Sequence, residues 1–451
     1  MNSSDHIAII QWALVIITSL LLIFISPKAK SLDRFFKASK KGKEPGLWVL
    51  TSSLVISWIF AKSITNAANL GLKYGIVGGL AYATYYLSFL VAGIIIYEMR
   101  IKGGYMSIHH FLSSKFGLSA VLIFSILIGF RLFNEVWSNT MVIGGYFGEI
   151  GSSPYYASIL VFTLLTLVYT LKGGLSSSLL TDVIQMVLFG GLLLVILAIL
   201  LPEFTSETIA SDWSLSGGLD LLLVALIQSL SYPFHDPVMT DRGFITEPRK
   251  MRKAFLIAVP IGFSSIVLFS LIGAYAAQLG VVGDATVQVA KATGVILMVL
   301  INFIMITSAS STLDSAFSSF AKLWLMDLHF FKPSVFNGRL VMGIVAVLGT
   351  VPVFFDPSIL SATTISGTMV IGLAPIFLFW NKEVPKHTFT WVVLIGVLSG
   401  ILLTVKALPD QWIFFNTDYG DLLTWNIIGS LLCFGVFGWF WVLGKKNDLA
   451  S

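Results

Sequence analysis

Apolar stretches of about twenty residues, separated by short polar segments, run along the whole chain. An α-helix of that length crosses the ~30 Å hydrocarbon core of a bilayer. The pattern predicts thirteen membrane spans, at 6–26, 47–72, 75–99, 119–148, 155–171, 177–201, 217–235, 254–279, 286–326, 338–355, 357–380, 390–407 and 422–444. The stretch 286–326 is too long for one straight span, so we expect it to tilt or to begin as a separate extracellular helix. We therefore predict an all-α membrane protein without a soluble domain.

Two of these spans contain residues that do not suit an uninterrupted membrane helix. We treat 6–26 as a prefix helix and number the next ten spans as core helices 1 to 10. Core helix 1 contains the polar run from Ala61 to Asn69, and core helix 6 contains Gln228 and Pro233. Such residues persist at membrane depth only where they face protein or a wet cavity. Interrupted helices at matching positions of two halves are typical of a transporter's binding site.

The spacing of the two interrupted helices predicts how the domain is organised. They are five helices apart, and an odd offset inverts the second unit in the membrane. We therefore predict a five-plus-five inverted repeat within a single transmembrane transporter domain over residues 1–451. Its parts are the prefix helix 6–26, a first repeat at 47–201, an inverted second repeat at 217–380 and two trailing helices within 390–444.

Composition favours a bilayer as the solvent, and the charges indicate the orientation. The residues are 56% apolar and 11% charged, whereas a typical soluble domain carries roughly 25% charged residues. Of the 28 Lys and Arg residues, 23 fall beside loops that share one side of the predicted spans, and only Lys73, Lys291 and Lys406 fall on the other. Cytoplasmic loops carry the excess of basic residues, so we expect the N-terminus outside and the C-terminus in the cytoplasm. The same distribution argues against nucleic acid as a partner.

Core helix 8 is rich in small hydroxyl residues around one carboxylate. Ser311, Thr312, Asp314 and Ser315 supply four oxygens within about one and a half turns, and Asp182 near the start of core helix 5 supplies another carboxylate. Hydroxyl residues also serve close helix packing in membranes, but a carboxylate within a span indicates function. Hard cations bind oxygen ligands. The segment therefore predicts a site for a hard cation such as Na⁺.

Lys62, Arg131 and Glu135 are further charged residues within predicted spans. Arg131 and Glu135 lie at positions i and i+4 of core helix 3, where they can form an ion pair; otherwise Arg131 is free to bind a solute carboxylate. Lys62 lies in core helix 1, and a buried ammonium must find an anion or lose its proton. It either pairs with Glu135 or a carboxylate of the cation site, holds an anionic solute, or stands in for a cation.

The breaks in core helices 1 and 6 are expected to enclose the transported solute. Polar and aromatic residues at and around the two breaks are the candidates for its contacts. The predicted solute-binding residues are Lys62, Ser63, Asn66, Tyr85, Arg131, Glu135, Gln228 and Tyr232.

Three segments, in order along the chain, form a recognisable signature. They are Gly173-Gly174 followed by Thr181-Asp182 and Gln185, then Asp241-Arg242-Gly243-Phe244 with Pro248 and Lys250, and finally Ser311-Thr312 with Asp327 sixteen residues after Ser311. Together they resemble the sodium/solute symporter family, which includes proline, sugar, iodide and sialic acid carriers. The resemblance implies an inverted repeat of the amino acid-polyamine-organocation type with core helices 1 and 6 broken. The family usually has Gln where this chain has Asp241.

The resemblance also implies a principal sodium site between core helices 1 and 8. Its ligands would be the backbone carbonyls of Ala61, Ile64 and Ser308 and the hydroxyls of Ser311 and Thr312. This ligand set agrees with what the residues alone predict. The interruption of core helix 1 would expose backbone carbonyls, and core helix 8 would place a pair of hydroxyls opposite them.

Some members of the family bind a second sodium between core helices 5 and 8. Asp182, Ser311, Asp314 and Ser315 fall at those positions. Asp314 replaces a residue that is usually neutral, so either the site is stronger or one carboxylate carries a proton instead. The alternative for Asp182 is that it only orders the start of core helix 5. Lys62 is a second departure, because the family is usually uncharged there.

The function predicted from the sequence is sodium-coupled import of a small polar solute, such as an amino acid, an organic acid or another carboxylate. We expect a monomer embedded in the lipid of the cell (plasma) membrane. The alternatives are a symporter driven by protons and a transporter-like sensor that depends on a partner. The sequence contains no recognisable metal triad, nucleophile–base pair or phosphate-binding loop, so an enzyme is not expected.

Overall fold

A computed structural model of the protein describes residues 3–38, 44–205 and 211–450, and its regular elements in those ranges are all helical. The α-helices are α1 Ser3–Ile25, α2 Leu32–Lys37, α3 Leu47–Trp58, α4 Ala61–Ala83, α5 Ser88–Ile101, α6 Ile108–Phe116, α7 Leu118–Phe147, α8 Ser153–Gly173, α9 Leu175–Leu200, α10 Asp220–Ser229, α11 Pro237–Arg242, α12 Pro248–Gln278, α13 Ala285–Ala292, α14 Val295–Lys322, α15 Val335–Thr350, α16 Ser361–Met369, α17 Leu373–Leu378, α18 Thr388–Thr404 and α19 Gly420–Ala450. Short 3₁₀ or π segments adjoin several of them, at Thr84–Leu87, Leu201–Glu203, Leu215–Leu219, Tyr232–His235, Leu323–Asp327, Val351–Phe355 and Asp410–Trp412.

Every predicted span coincides with one or more of these helices. Within the described ranges, nine helical stretches are long and apolar enough to cross a membrane. The stretch 286–326 is divided into the short helix α13 and the long helix α14. The all-helical membrane fold is therefore confirmed, whereas the number of crossings, the repeat boundaries and the positions of the termini stay predictions.

Core helix 1 breaks between α3 and α4. Ile59 (φ −81°, ψ 73°) and Phe60 (φ −61°, ψ 149°) leave the helical region, and the helix resumes at Ala61. The end of a helix leaves carbonyls without an intrahelical partner. The Tyr86 hydroxyl donates to the carbonyl of Trp58 at 2.7 Å and satisfies one of them.

Helix α4 reverses direction at Gly75, so that core helices 1 and 2 form a hairpin. Gly75 has φ 59° and ψ −142°, a conformation that glycine adopts far more readily than other residues. A Cβ placed on Gly78 would lie 2.1 Å from the Leu70 carbonyl oxygen. Residues eight apart in a straight helix are about 12 Å apart along its axis, so this contact shows the reversal.

Core helix 6 breaks after α10 and continues beyond its predicted end at residue 235. The chain passes through a 3₁₀ segment, and the helix resumes as α11. Asp236 caps α11 by accepting a hydrogen bond from the Val238 amide at 2.9 Å, and Pro237 follows the cap. An Asp N-cap followed by Pro is a favourable start for a helix, which explains why the helix resumes there.

Helix α12 packs on α4 with almost no side chain between the two backbones. An added Cβ on Gly273 would lie 1.7 Å from the Ala68 carbonyl oxygen, and one on Gly71 would lie 2.1 Å from that of Ser270. Small residues permit such close helix contacts in membranes. This contact holds the resumed part of core helix 1 against core helix 7.

Replacing Gly273 by Ala is expected to push α12 away from α4. Overpacking of this kind costs on the order of 1–3 kcal/mol, which thermal unfolding of the purified protein in detergent would detect. Gly190→Ala is the matched control, because nothing lies within 4 Å of a Cβ at that helical position. Equal unfolding temperatures for the two variants would contradict this packing.

Candidate ion and solute site

Four charged side chains form a buried network where α4, α7 and the break in core helix 6 meet. The Lys62 ammonium is 2.7 Å from Glu135 Oε1, and Arg131 also contacts Glu135. Arg131 Nη2 lies 2.9 Å from Asp236 Oδ2. These four residues, called here the central ion network, are at most 4% exposed. Two cations thus face two anions, so the network is neutral.

Asp236 is held in place by more than its contact with Arg131. One oxygen caps α11, and the other accepts a hydrogen bond from the Trp58 indole at 2.8 Å. Both oxygens of a buried carboxylate are therefore satisfied, which a buried charge requires. Trp58 is the last residue of α3, so Asp236 joins the ends of α3 and α11 at the two helix breaks.

Aromatic rings cover the cations of the network. The Phe60 ring centroid lies 5.1 Å from the Lys62 ammonium and 5.2 Å from the Arg131 guanidinium. The Tyr232 ring lies 5.1 Å from the same guanidinium. Cation–π contacts at such distances are stabilising, and more so away from water. Tyr232, a predicted solute residue, thus contacts Arg131.

The remaining predicted solute residues make contacts within the protein. Ser63 and Asn66 each lie 3.3 Å from the Tyr82 hydroxyl. The Tyr85 hydroxyl donates to Gln228 Oε1 at 2.8 Å.

The Gln228 amide nitrogen reaches elements far along the chain. It lies within 3.1 Å of the Thr364 carbonyl, the Thr368 hydroxyl and Asn426 Oδ1. Gln228 therefore ties core helix 6 to α16 and to the trailing helix α19.

The predicted principal sodium ligands lie on α4 and α14, which pack against each other. Ala61 and Ile64 are buried in the first turn of α4, directly after the break. Thr312 Oγ1 donates to the Ser308 carbonyl at 2.9 Å, and the buried Ser308 hydroxyl has no hydrogen-bond partner among the described residues. A hydroxyl without a hydrogen-bond partner, close to other oxygen atoms, can serve as a ligand for a hard cation such as sodium.

Asp182 is surrounded by hydroxyls and by one guanidinium. Ser311 donates to Oδ1 at 2.6 Å, and Ser53 and Ser57 donate to Oδ2 at 2.5 and 3.3 Å. Arg242 Nη2 lies 3.4 Å from Oδ2, and both side chains of this pair are fully buried. Asp182 therefore joins α3, α9, α11 and α14 rather than only ordering the start of its own helix.

Asp314, the second carboxylate of this group, is also bonded to hydroxyls. Tyr169 and Thr181 donate to Oδ2 at 2.8 and 3.1 Å, and Ser315 lies 3.4 Å from Oδ1. Ser315 also contacts Ser57 at 3.1 Å. The side chains predicted for a second cation site, Asp182, Ser311, Asp314 and Ser315, are thus linked through hydrogen bonds.

Comparison with a protein-family model concerns the first half of the chain. A family model described as the Sodium:solute symporter family matches residues 39–212. The resemblance to this family is confirmed. The matched region contains the break in core helix 1, the central charges of α4 and α7, and Asp182.

Two relatives also match only part of this chain by sequence. The chain is 26% identical over 201 residues to solute carrier family 5 member 4A of Mus musculus, covering 44% of this chain and 30% of the relative. It is 30% identical over 178 residues to a sodium/glucose cotransporter of Vibrio parahaemolyticus, covering 38% of this chain and 31% of the relative. The match thus spans about a third of these symporters' length.

Solved structures extend the likeness over nearly the whole chain. A Na⁺-coupled sialic acid symporter in a substrate-bound, outward-open state aligns with TM-score 0.69 at 15% identity, covering 97% of this chain and 98% of that one. A nucleobase-cation-symport-1 family transporter aligns with TM-score 0.55 at 13% identity, covering 92% and 94%. At these identities the likeness concerns the fold, which this chain shares with solute symporters.

Sequence reasoning missed Arg242 and Asp236 as site residues. Arg242 belongs to the family-like segment after core helix 6. The predicted spans put it in the loop between 217–235 and 254–279, where a basic residue is expected to face solvent. The signal that could have found it is the Asp236-Pro237 pair, which starts a helix and carries the chain back into the protein. The hydroxyls of Ser53 and Ser57 carry no comparable signal, because serines are ordinary packing residues in membrane helices.

A double-mutant cycle tests whether the central ion network is neutral as a unit. Lys62→Met leaves an excess anion and Glu135→Gln leaves an excess cation, whereas the double variant is neutral again. Removing one partner of a buried pair costs about 3–5 kcal/mol, so each single variant should lower the unfolding temperature markedly. The double variant should lose less than the sum of the two; strict additivity would contradict the pairing.

Proposed function

We propose that this chain is a sodium-coupled symporter that imports a small polar solute by alternating access. The observation that carries the proposal is the packing of the hydroxyl-rich helix α14 against α4, the helix that resumes core helix 1 after its break. A broken helix beside hydroxyl oxygens is how transporters of inverted-repeat folds bind coupling ions. The relatives named sodium/glucose cotransporter support sodium as the ion.

The principal sodium site would use the carbonyls of Ala61, Ile64 and Ser308 with the hydroxyls of Ser311 and Thr312. Sodium bound there would join α4 to α14 and favour the outward-open state. Moving one charge inward across 100 mV is worth about 2.3 kcal/mol, before the concentration gradient is added. That free energy would drive the solute inward when both are released together to the cytoplasm.

The solute would bind at the central ion network, between the breaks of core helices 1 and 6. A carboxylate would compete with Glu135 for Lys62 and Arg131, and Ser63 and Asn66 would contact its polar groups. The relatives' names mention glucose, but the two buried cations, Lys62 and Arg131, favour a solute with a carboxylate over a sugar. An amino acid, an organic acid or another carboxylate is the class we propose.

We place the protein in the plasma membrane as a monomer surrounded by lipid, with the N-terminus outside. The distribution of Lys and Arg beside the spans supports this orientation. Together with the two trailing helices, the inverted repeat of the amino acid-polyamine-organocation type completes the proposed architecture.

Replacing Thr312 by Val should weaken sodium binding, because the variant keeps the shape of the side chain but loses an oxygen ligand. A lost hydrogen-bonding oxygen is worth about 1–3 kcal/mol, so the sodium concentration for half-maximal uptake should rise roughly five- to hundredfold. Uptake into proteoliposomes under a sodium gradient measures this. Thr307→Val is the matched control, since Thr307, like Thr312, donates to carbonyls of its own helix but is not among the predicted sodium ligands.

Two results would refute sodium coupling. One is uptake that ignores sodium and follows an inward proton gradient instead. The other is an equal effect of Thr312→Val and Thr307→Val on the sodium dependence.

A thermal-shift screen of small solutes, in sodium and in choline, should identify the solute class. Carboxylates are expected to stabilise the wild-type protein only in sodium, and to lose that effect in Lys62→Ala. Sugars serve as the uncharged comparison in the same buffers. Stabilisation by sugars and not by carboxylates would overturn the proposed class while leaving sodium coupling intact.

A further inference from the structure

The Arg242 guanidinium lies within the group of side chains that the family resemblance assigns to a second sodium. Its Nε donates to Ser53 at 2.7 Å, and its Nη2 lies 3.0 Å from Ser315 and 3.2 Å from Ser57. The same nitrogen lies 3.4 Å from Asp182 Oδ2. Hydroxyls of core helices 1 and 8 and the carboxylate of core helix 5 thus already have a cation among them.

The position of Arg242 is fixed at both ends of α11. Asp236 caps the start of this six-residue helix and is bonded to Trp58 and Arg131. Near the other end, Asp241 accepts a hydrogen bond from Ser319 at 2.9 Å and pairs with Lys322. The arginine is therefore held in the cluster by the neighbouring backbone as well as by its own contacts.

A sodium ion at the Asp182 carboxylate does not fit while Arg242 is beside it. The other carboxylate of the group, Asp314, is bonded to the hydroxyls of Tyr169, Thr181 and Ser315. The Asp182 carboxylate already interacts with three hydroxyls and one guanidinium. Another cation at this carboxylate would lie within a few ångströms of the guanidinium, and like charges repel strongly in the poorly screened interior of a protein.

We propose that Arg242 is the resident cation of the Asp182 site, so that this chain binds one sodium, at the principal site, in each cycle. The inference rests on the proposed sodium symport and specifies its stoichiometry. It also predicts that removing the guanidinium opens Asp182, Ser311 and Ser315 to a second sodium ion.

Equilibrium binding of radioactive sodium to the purified full chain in detergent tests the proposal without requiring a known solute. The wild-type protein should bind one sodium per chain. Arg242→Gln should bind two, because the amide lacks the charge that excludes the ion. Arg249→Gln, which removes an exposed arginine of the same segment, should still bind one.

Two further variants guard against effects on folding. Arg242→Lys keeps the charge and should bind one sodium. The double variant Asp182→Asn with Arg242→Gln lacks both the Asp182 carboxylate and the guanidinium and should also bind one. Each sample is counted only if it elutes as a single species in size-exclusion chromatography.

The outcomes separate this proposal from the proposed function. Two sodium ions bound by the wild type, or one bound by folded Arg242→Gln, would overturn the role of Arg242 and leave sodium symport standing. No sodium in the wild type but one in Arg242→Gln would support Arg242 and remove the principal site. No sodium in either protein would overturn both.

Discussion

A charge buried inside a membrane protein must be neutralised by that protein, because no water is present to solvate it. Two sets of paired charges in the described core follow this constraint, and the buried carboxyl group of Asp314 is bonded to hydroxyls instead. The central ion network joins α4 and α7 to the break in core helix 6, and the pair of Arg242 and Asp182 joins α11 to α9. These charges thus hold α4, α7, α9 and α11 to one another.

The two sets of charges are connected by α11. This helix begins at the cap residue Asp236, which contacts Arg131, and ends at Arg242, which contacts Asp182. Six residues of α-helix span only about 9 Å, and a segment so short moves as one piece. A solute that draws Arg131 away from Asp236 would therefore disturb the guanidinium at the other end. This is a physical route by which the solute and ion sites could influence each other.

Much of this arrangement follows from the sequence. Helix breaks, the hydroxyl-rich α14 and the pairing of Arg131 with Glu135 are local features, expressed in residue type and in helical spacing. The role of Gln228 is not local, because its partners Thr364, Thr368 and Asn426 lie at least 136 positions away along the chain. Arg242 was assigned to a loop because hydropathy averages over a window, and a six-residue helix after a break is shorter than such windows.

The position of Arg242 also affects the ratio of inside to outside solute concentration that the protein could reach. A tethered cation has a local concentration set by the chain, so its occupancy does not follow the sodium level on either side of the membrane. For a solute without net charge, such as a zwitterionic amino acid, one sodium ion with 100 mV and a tenfold sodium gradient provides about 3.7 kcal/mol. This corresponds to an accumulation limit of roughly 500-fold, whereas a second ion would square that limit and double the sodium that the cell must expel. With Arg242 beside Asp182 in place of a second sodium ion, the chain would reach a lower accumulation limit. It would also carry less sodium into the cell with each solute.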